Sequence, residues 1–202
     1  MPTPEEITRH HDDQPPPGLD PWVGGLRPRT DIEVVDPDPA WPERFTELCG
    51  RIRAVLGERA LRVEHVGSTA VPGLAAKPVI DVDLTVADAA DEPAWLPPLE
   101  EAGFLLTIRE PWWQEHRALR HDDPWCNLHV FGPEAPEPVR HRLFRDWLRE
   151  HPDDLAAYAR TKRAAAEAAN AAGEHVMQYN ARKEALIREI YDRAFRAAGL
   201  LG

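Results

Sequence analysis

The chain has 202 residues, 43% of them hydrophobic and 29% charged, which are the proportions of a globular protein with enough chain for one sizeable core and an extra arm. Its formal net charge of −11 argues against a general nucleic-acid binder, because phosphate backbones are held by cationic surfaces. Two isolated cysteines make neither a disulfide framework nor a zinc pattern, no apolar run approaches the roughly 18 residues of a membrane span, and the N-terminus lacks an apolar signal core, so a cytoplasmic protein away from membranes is expected.

Residues 1–30 are rich in charge and proline (Pro15-Pro16-Pro17) and read as a flexible or loosely packed arm, with Trp22, Val23 and Leu26 as its docking groups. Residues 31–200 read as one domain. Ile32 to Val35 is a short strand candidate that ends at Asp36-Pro37-Asp38-Pro39. A helix starts near Pro42, carries Phe45, Leu48, Ile52 and Val55 at helical spacing, and stops at Gly57. A strand over Leu61 to Val66 runs straight into Gly67-Ser68-Thr69; a loop at 72–78 precedes the clearest strand, Val79 to Val86. A short helix at 93–102 and strands at Phe104 to Ile108 and Asn127 to Phe131 follow. After Pro138 the pattern is helical, at 139–150, 153–172 and 175–198. A small mixed sheet with flanking helices and a helical C-terminal part is an α+β arrangement, with α/β-like features.

Alternation along Val79 to Val86 puts Ile80, Val82, Leu84 and Val86 on one wholly apolar face and Asp81 and Asp83 together on the other. The two carboxylates are roughly 6–7 Å apart at Cα, near enough to share one hard cation. Aspartate is disfavoured in strands, so two in one strand point to chemistry, against the plain alternative of a solvated edge face. Upstream, Gly67 lets backbone approach a phosphate closely and Ser68 offers a hydroxyl. The spacing is not that of a P-loop.

The stretch Val63 to Val86 resembles the hallmark of the GrpB family. Asn127-Leu128-His129-Val130-Phe131 is similar to its second motif and Phe144-Arg145-Asp146-x-Leu148-Arg149-x-x-Pro152 to its third; Tyr158, Lys162, Tyr179 and Lys183 fit its helical tail. The resemblance covers about 32–198 and implies a nucleotidyltransferase fold of the polymerase-beta type. In that superfamily Gly-Ser is followed by Asp-x-Asp and a third carboxylate on a later strand. Gly67, Ser68, Asp81 and Asp83 match; His129 stands where the third carboxylate would be, as a metal ligand, a phosphate contact or a base. Some proteins carry the family fused to dephospho-CoA kinase, but this chain has no kinase P-loop.

Several further residues are candidates for the site, each with a plainer structural reading. His65 shares a face with Leu61 and Val63 and either lines the site or is a core histidine; Glu64 points the other way. Lys77, just before the carboxylate strand, is a phosphate-binding candidate. Lys183 falls on the apolar stripe of the last helix with Tyr179, Leu186, Ile187, Ile190 and Ala194, and Lys162 repeats this beside Tyr158. Such lysines either snorkel or form a cationic rim for a triphosphate. Arg145 and Arg149, one turn apart, are an ion-pair group or ligand contacts, and Arg117 is a further lining candidate.

The expected function is transfer of a nucleoside monophosphate from a nucleoside triphosphate to a small acceptor. Asp81 and Asp83 would hold Mg2+ (or Mn2+), and His129 would complete the catalytic set. The alternatives are a non-catalytic protein that binds a nucleotide or another phosphorylated metabolite, and an accessory or interaction protein.

Overall fold

The computed structural model describes residues 1–10 and 15–202; positions 11–14 of the expected arm lie outside the described residues. Five strands form one sheet: β1 (Arg62–Val66), β2 (Ile80–Thr85), β3 (Leu105–Glu110), β4 (His116–Asp122) and β5 (Trp125–Phe131), in the spatial order β1-β2-β5-β4-β3. β2 and β5 are parallel and the other pairs antiparallel, so the sheet is mixed, as the α+β reading expects.

Helices cover both faces. Ile80, Val82 and Leu84 of β2 and Cys126, Leu128 and Val130 of β5 are buried on one side. There α2 (Trp41–Leu56) and α3 (Glu92–Glu101) supply Leu48, Ile52, Trp95 and Leu99. Proline in the first turn of α2 costs no hydrogen bond, and Gly57 ends the helix at φ 55°. On the other side lie α4 (Glu137–Glu150), α5 (Pro152–Ala171) and α6 (Val176–Ala197). Leu148, Tyr158 and Ile190 from these helices close over Val71 and Leu74. The carboxylates of β2 therefore point into a helical cap.

Three expectations are corrected. Ile32 to Val35 is no strand: only Val35 bridges, to Ala76, because the Asn170 side chain takes both backbone groups of Ile32 (Ile32 N–H to Oδ1, 3.2 Å; Nδ2 to Ile32 O, 2.8 Å). A strand not foreseen, β4, forms between β3 and β5. The arm is not loose along its described first residues. Helix α1 (Pro4–Thr8) is closed by a Thr3–Glu6 capping box, and Ile7 is buried against Tyr191 and Phe195. Buried Arg140 donates to Ile7 O (2.7 Å) and Arg9 O (2.8 Å). Farther along, Trp22 bridges to Ile108 and Val23 packs against the main core, so the expected docking through these two occurs. Among the described residues no helix is long and apolar enough to cross a membrane.

Candidate active site on the carboxylate strand

The site starts where β1 ends. Gly67 turns the chain at φ 66°, and a methyl group there would run into Asp81 Oδ2; only a glycine brings this turn over the carboxylate. The turn is fastened below. Buried Thr69 donates to Val79 O (3.2 Å), and His65 Nε2 lies 3.1 Å from Thr69 Oγ1. Since the threonine hydrogen is used, His65 Nε2 must be the donor there. Burial holds His65 down at about 4, consistent with a neutral ring. From α4, Arg149 donates to Ala70 O through Nη2 (2.7 Å) and Nε (3.1 Å). Arg145 donates to His65 O (2.9 Å) and reaches Glu64 at 3.3 Å and Asp146 at 2.7 Å.

Asp81 and Asp83 have different surroundings. Asp81 Oδ1 accepts from Asn127 Nδ2 at 2.9 Å. Asp83, 2% exposed, accepts from His141 Nδ1 at 2.9 Å through Oδ2, while its buried Oδ1 has no hydrogen-bond partner among the described residues. Burial pushes Asp83 up, but the His141 charge and hydrogen bond outweigh it and hold the carboxyl below its usual range. Burial lowers His141 in turn, and Asp83, assisted by Glu137, overrides this and raises it to about 9. His141 and Asp83 are thus an imidazolium–carboxylate pair at neutral pH.

A second imidazole chain reaches the site from β3. Glu110 lies 2.8 Å from His116 Nδ1, and His116 Nε2 lies 3.0 Å from His129 Nδ1. If the carboxylate accepts the Nδ1 proton, His116 Nε2 must accept from His129 Nδ1, and the lone pair of His129 then sits on Nε2. Burial, with His116 adding to it, holds His129 at about 4, so this ring is a neutral acceptor.

Three lysines converge from separate elements: Lys77 before β2, Lys162 on α5 and Lys183 on α6. Lys162 is 2% and Lys183 7% exposed. Lys183 Nζ sits 4.0 Å and Lys77 Nζ 5.7 Å from the Tyr179 ring centroid, and Lys162 Nζ 5.3 Å from that of Tyr158. Among the described residues none of the three forms an ion pair or a hydrogen bond. Burial lowers all three, Lys183 to about 7 and Lys162 well below its ordinary value, and Asp81 is the acid that opposes the shift in each. Tyr179 is fully buried, and its hydroxyl has no partner among the described residues. Burial pushes the Tyr158 phenol up to about 12, with Ser68 working against the shift.

Gly67, Ser68, Lys77, Asp81, Asp83, His129, Lys162, Tyr179 and Lys183 are thus gathered around one face. Two lining candidates are not. His65 pairs across to Val82, so its ring lies on the apolar face, stacked on Phe45 at 4.7 Å, and Glu64 is the β1 residue opposite Asp83. Arg117 pairs across to Val130 and is buried on that same apolar face, bonded to Glu92 at 2.6 Å. Arg145 and Arg149 stand beside the turn with their donors taken by backbone and acids. The sequence reading missed Glu110 and His141, although His141 lies one helical turn before Arg145.

Among the described residues no three His, Cys, Asp or Glu side chains form a ready-made metal centre. The donor set fits a different arrangement. The orphaned Asp83 Oδ1 and the Asp81 carboxylate are hard oxygen donors, of the kind a magnesium ion takes.

The GrpB protein family model matches residues 31–193. A UPF0157 protein of Halalkalibacterium halodurans is 47% identical over 85% of this chain and 87% of its own length; one from Pseudomonas aeruginosa is 38% identical over 82% and 69%. The dephospho-CoA kinase of Mycolicibacterium paratuberculosis is 32% identical over 86% of this chain, which spans 48% of that longer protein. The crystal structure of the conserved protein GrpB from Enterococcus faecalis superposes with a TM-score of 0.71, at 31% identity, over 82% of this chain and 99% of that one. The chain belongs to the GrpB family.

Proposed function

We propose that this protein is a nucleotidyltransferase, passing a nucleoside monophosphate from a nucleoside triphosphate to a small acceptor in the cytoplasm, with Mg2+ (or Mn2+) at Asp81 and Asp83. One observation carries the reading: Asp81 lies between the Gly67-Ser68 turn and three lysines that lack an ion-pair partner among the described residues. Buried cations without anions are costly, and a polyphosphate supplies the missing charge. Gly67 lets the turn close directly onto the Asp81 carboxylate, which sets the Ser68 hydroxyl beside the acid, where it can donate to a phosphate oxygen. The cation, when bound, offsets charge on the phosphates and the departing pyrophosphate. Asp83 Oδ1 and Asp81 hold it, and His141 lessens repulsion between Asp83 and the incoming phosphate. In the transfer, an acceptor oxygen bonds to the α-phosphorus, the bond to the bridging oxygen of pyrophosphate breaks, and the acceptor proton passes to His129 Nε2.

Calorimetric titration with the four nucleoside triphosphates, with Mg2+ and with EDTA, tests this. Wild type should bind at least one donor more tightly with the metal, and Asp81→Asn and Asp83→Asn should lose about 10-fold or more of that metal-dependent affinity. Unchanged affinity in both variants overturns the assignment. A second reading, non-catalytic binding of a nucleotide or phosphometabolite, is favoured by His141 already neutralising Asp83 and by His129 replacing a third carboxylate. It predicts equal binding with metal and with EDTA.

A further inference from the structure

A cavity of about 300 Å3 opens over the β4–β5 part of the sheet, beside the carboxylates. Its floor belongs to the site above, since Lys77, Asn127 and His129 line both. Its walls do not. Trp125, at the start of β5, carries the Arg29 guanidinium 4.4 Å from its ring centroid, and Trp22 forms another part of the lining. Among the described residues Arg29 has no carboxylate partner, whereas Arg27 reaches Asp20 and Arg120 reaches Asp122.

The segment that builds this wall is firmly placed. Arg109 N–H donates to Pro21 O (2.9 Å), and Val176 N–H, an otherwise orphaned donor in the first turn of α6, donates to Arg29 O (2.8 Å). Asn170 holds Ile32 at both backbone groups. Trp22 and Arg29 precede residue 31, where the family match begins, whereas Trp125 lies within it. An indole face stacks a flat ring, and an unpaired guanidinium takes a carboxylate or phosphate through two parallel hydrogen bonds. His129, the base of the proposed transfer, lies on the cavity floor, within reach of a molecule held there.

We propose that this cavity is the acceptor pocket and that the acceptor is a flat aromatic or heteroaromatic molecule carrying a carboxylate or phosphate group. Its role as acceptor rests on the transferase reading; the binding chemistry does not. The test is calorimetric titration of the full chain with phenyl phosphate, 4-hydroxybenzoate and neutral benzyl alcohol, in wild type, Trp22→Ala, Arg29→Ala and Lys183→Met, each checked for folding by circular dichroism. At least one anion should bind wild type and Lys183→Met, and whichever binds names the anionic group. The alcohol should not bind, and Trp22→Ala and Arg29→Ala should each weaken the anion at least 10-fold. ATP with Mg2+ should show the converse pattern, kept in Trp22→Ala and Arg29→Ala and lost in Lys183→Met. The pocket assignment falls if neither anion binds, if the alcohol binds equally well, or if Trp22→Ala and Arg29→Ala have no effect. Should Trp22→Ala not fold, Trp22→Leu takes its place. Anion binding without any binding of ATP leaves the pocket standing and removes the transferase reading.

Discussion

Single atoms decide two properties of the site. Gly67 has both a left-handed φ and no room for a methyl group against Asp81. Gly67→Ala must therefore move the turn or the carboxylate, and it should cost about 1–3 kcal/mol in urea unfolding while weakening triphosphate binding. His141 is the second case. It is the buried Asp83's hydrogen-bonded cation, and removing one partner of such a pair leaves an uncompensated charge. His141→Gln should lower stability by about 3 kcal/mol at pH 6, measured by urea unfolding in EDTA. Its pKa is raised to about 9, above the roughly 6.5 of an unfolded histidine. The pair's contribution is therefore complete below pH 6.5 and lost as pH rises through 9, so the gap between wild type and variant should close over that window. A gap that does not change with pH would show that His141 acts through packing instead. Parity along one strand is readable from sequence: Asp81 with Asp83, and His65 with Val63. Which parity of β1 joins the carboxylate face depends on pairing Val66 with Asp81, and that register lies in the fold rather than in either strand. Hence Glu64, not His65, is the β1 residue beside the acids.

At the scale of elements, legibility follows one-sided burial. α2, α4, α5 and α6 each bury a stripe, and their apolar period is visible in the sequence. β2 was clear because one face is apolar and the other carries the aspartates. β4 was hidden because His116, Arg117, Ala118 and Leu119 are all buried, so neither alternation nor hydrophobicity marks it. Arg117 is tolerated there because Glu92 meets it, a pairing that joins α3 to β4 and is invisible to local patterning. Helix α1 was hidden for another reason. Five residues are far too few to be stable alone, and α1 is held by the buried guanidinium of Arg140 on α4. Arg140→Leu should accordingly speed amide exchange at residues 7–9 by about 10-fold or more, with β2 amides unchanged, because terminal elements open independently of the core. Equal acceleration in β2 would mean that Arg140 supports the whole fold.

Over the whole molecule, an acidic chain of net charge −11 keeps three lysines, Lys162 and Lys183 of them buried, around one aspartate. That arrangement opposes stability and favours an anionic ligand, as expected where a site is shaped for binding rather than for folding. The sign of the pH dependence follows from Lys183. Its pKa is about 7 in the folded protein and roughly 10.4 unfolded, so the unfolded chain binds more protons between these values. The penalty of burying its charge is complete below pH 7 and is relieved as pH rises towards 10. Lys183→Met should therefore raise the melting temperature of the ligand-free protein at pH 6, by about 2–4 °C for each kcal/mol gained, with a smaller gain at pH 9. Pyrophosphate reverses the preference. Its charge favours the protonated amine, so binding at pH 8 should take up protons, read as a dependence of the calorimetric heat on the ionisation enthalpy of the buffer. It should also raise the wild-type melting temperature more at pH 6 than at pH 9. Lys183→Met should lose most of that stabilisation while being the more stable protein without ligand. A variant that is less stable than wild type at pH 6 would instead place Lys183 among the residues that hold the helical cap together.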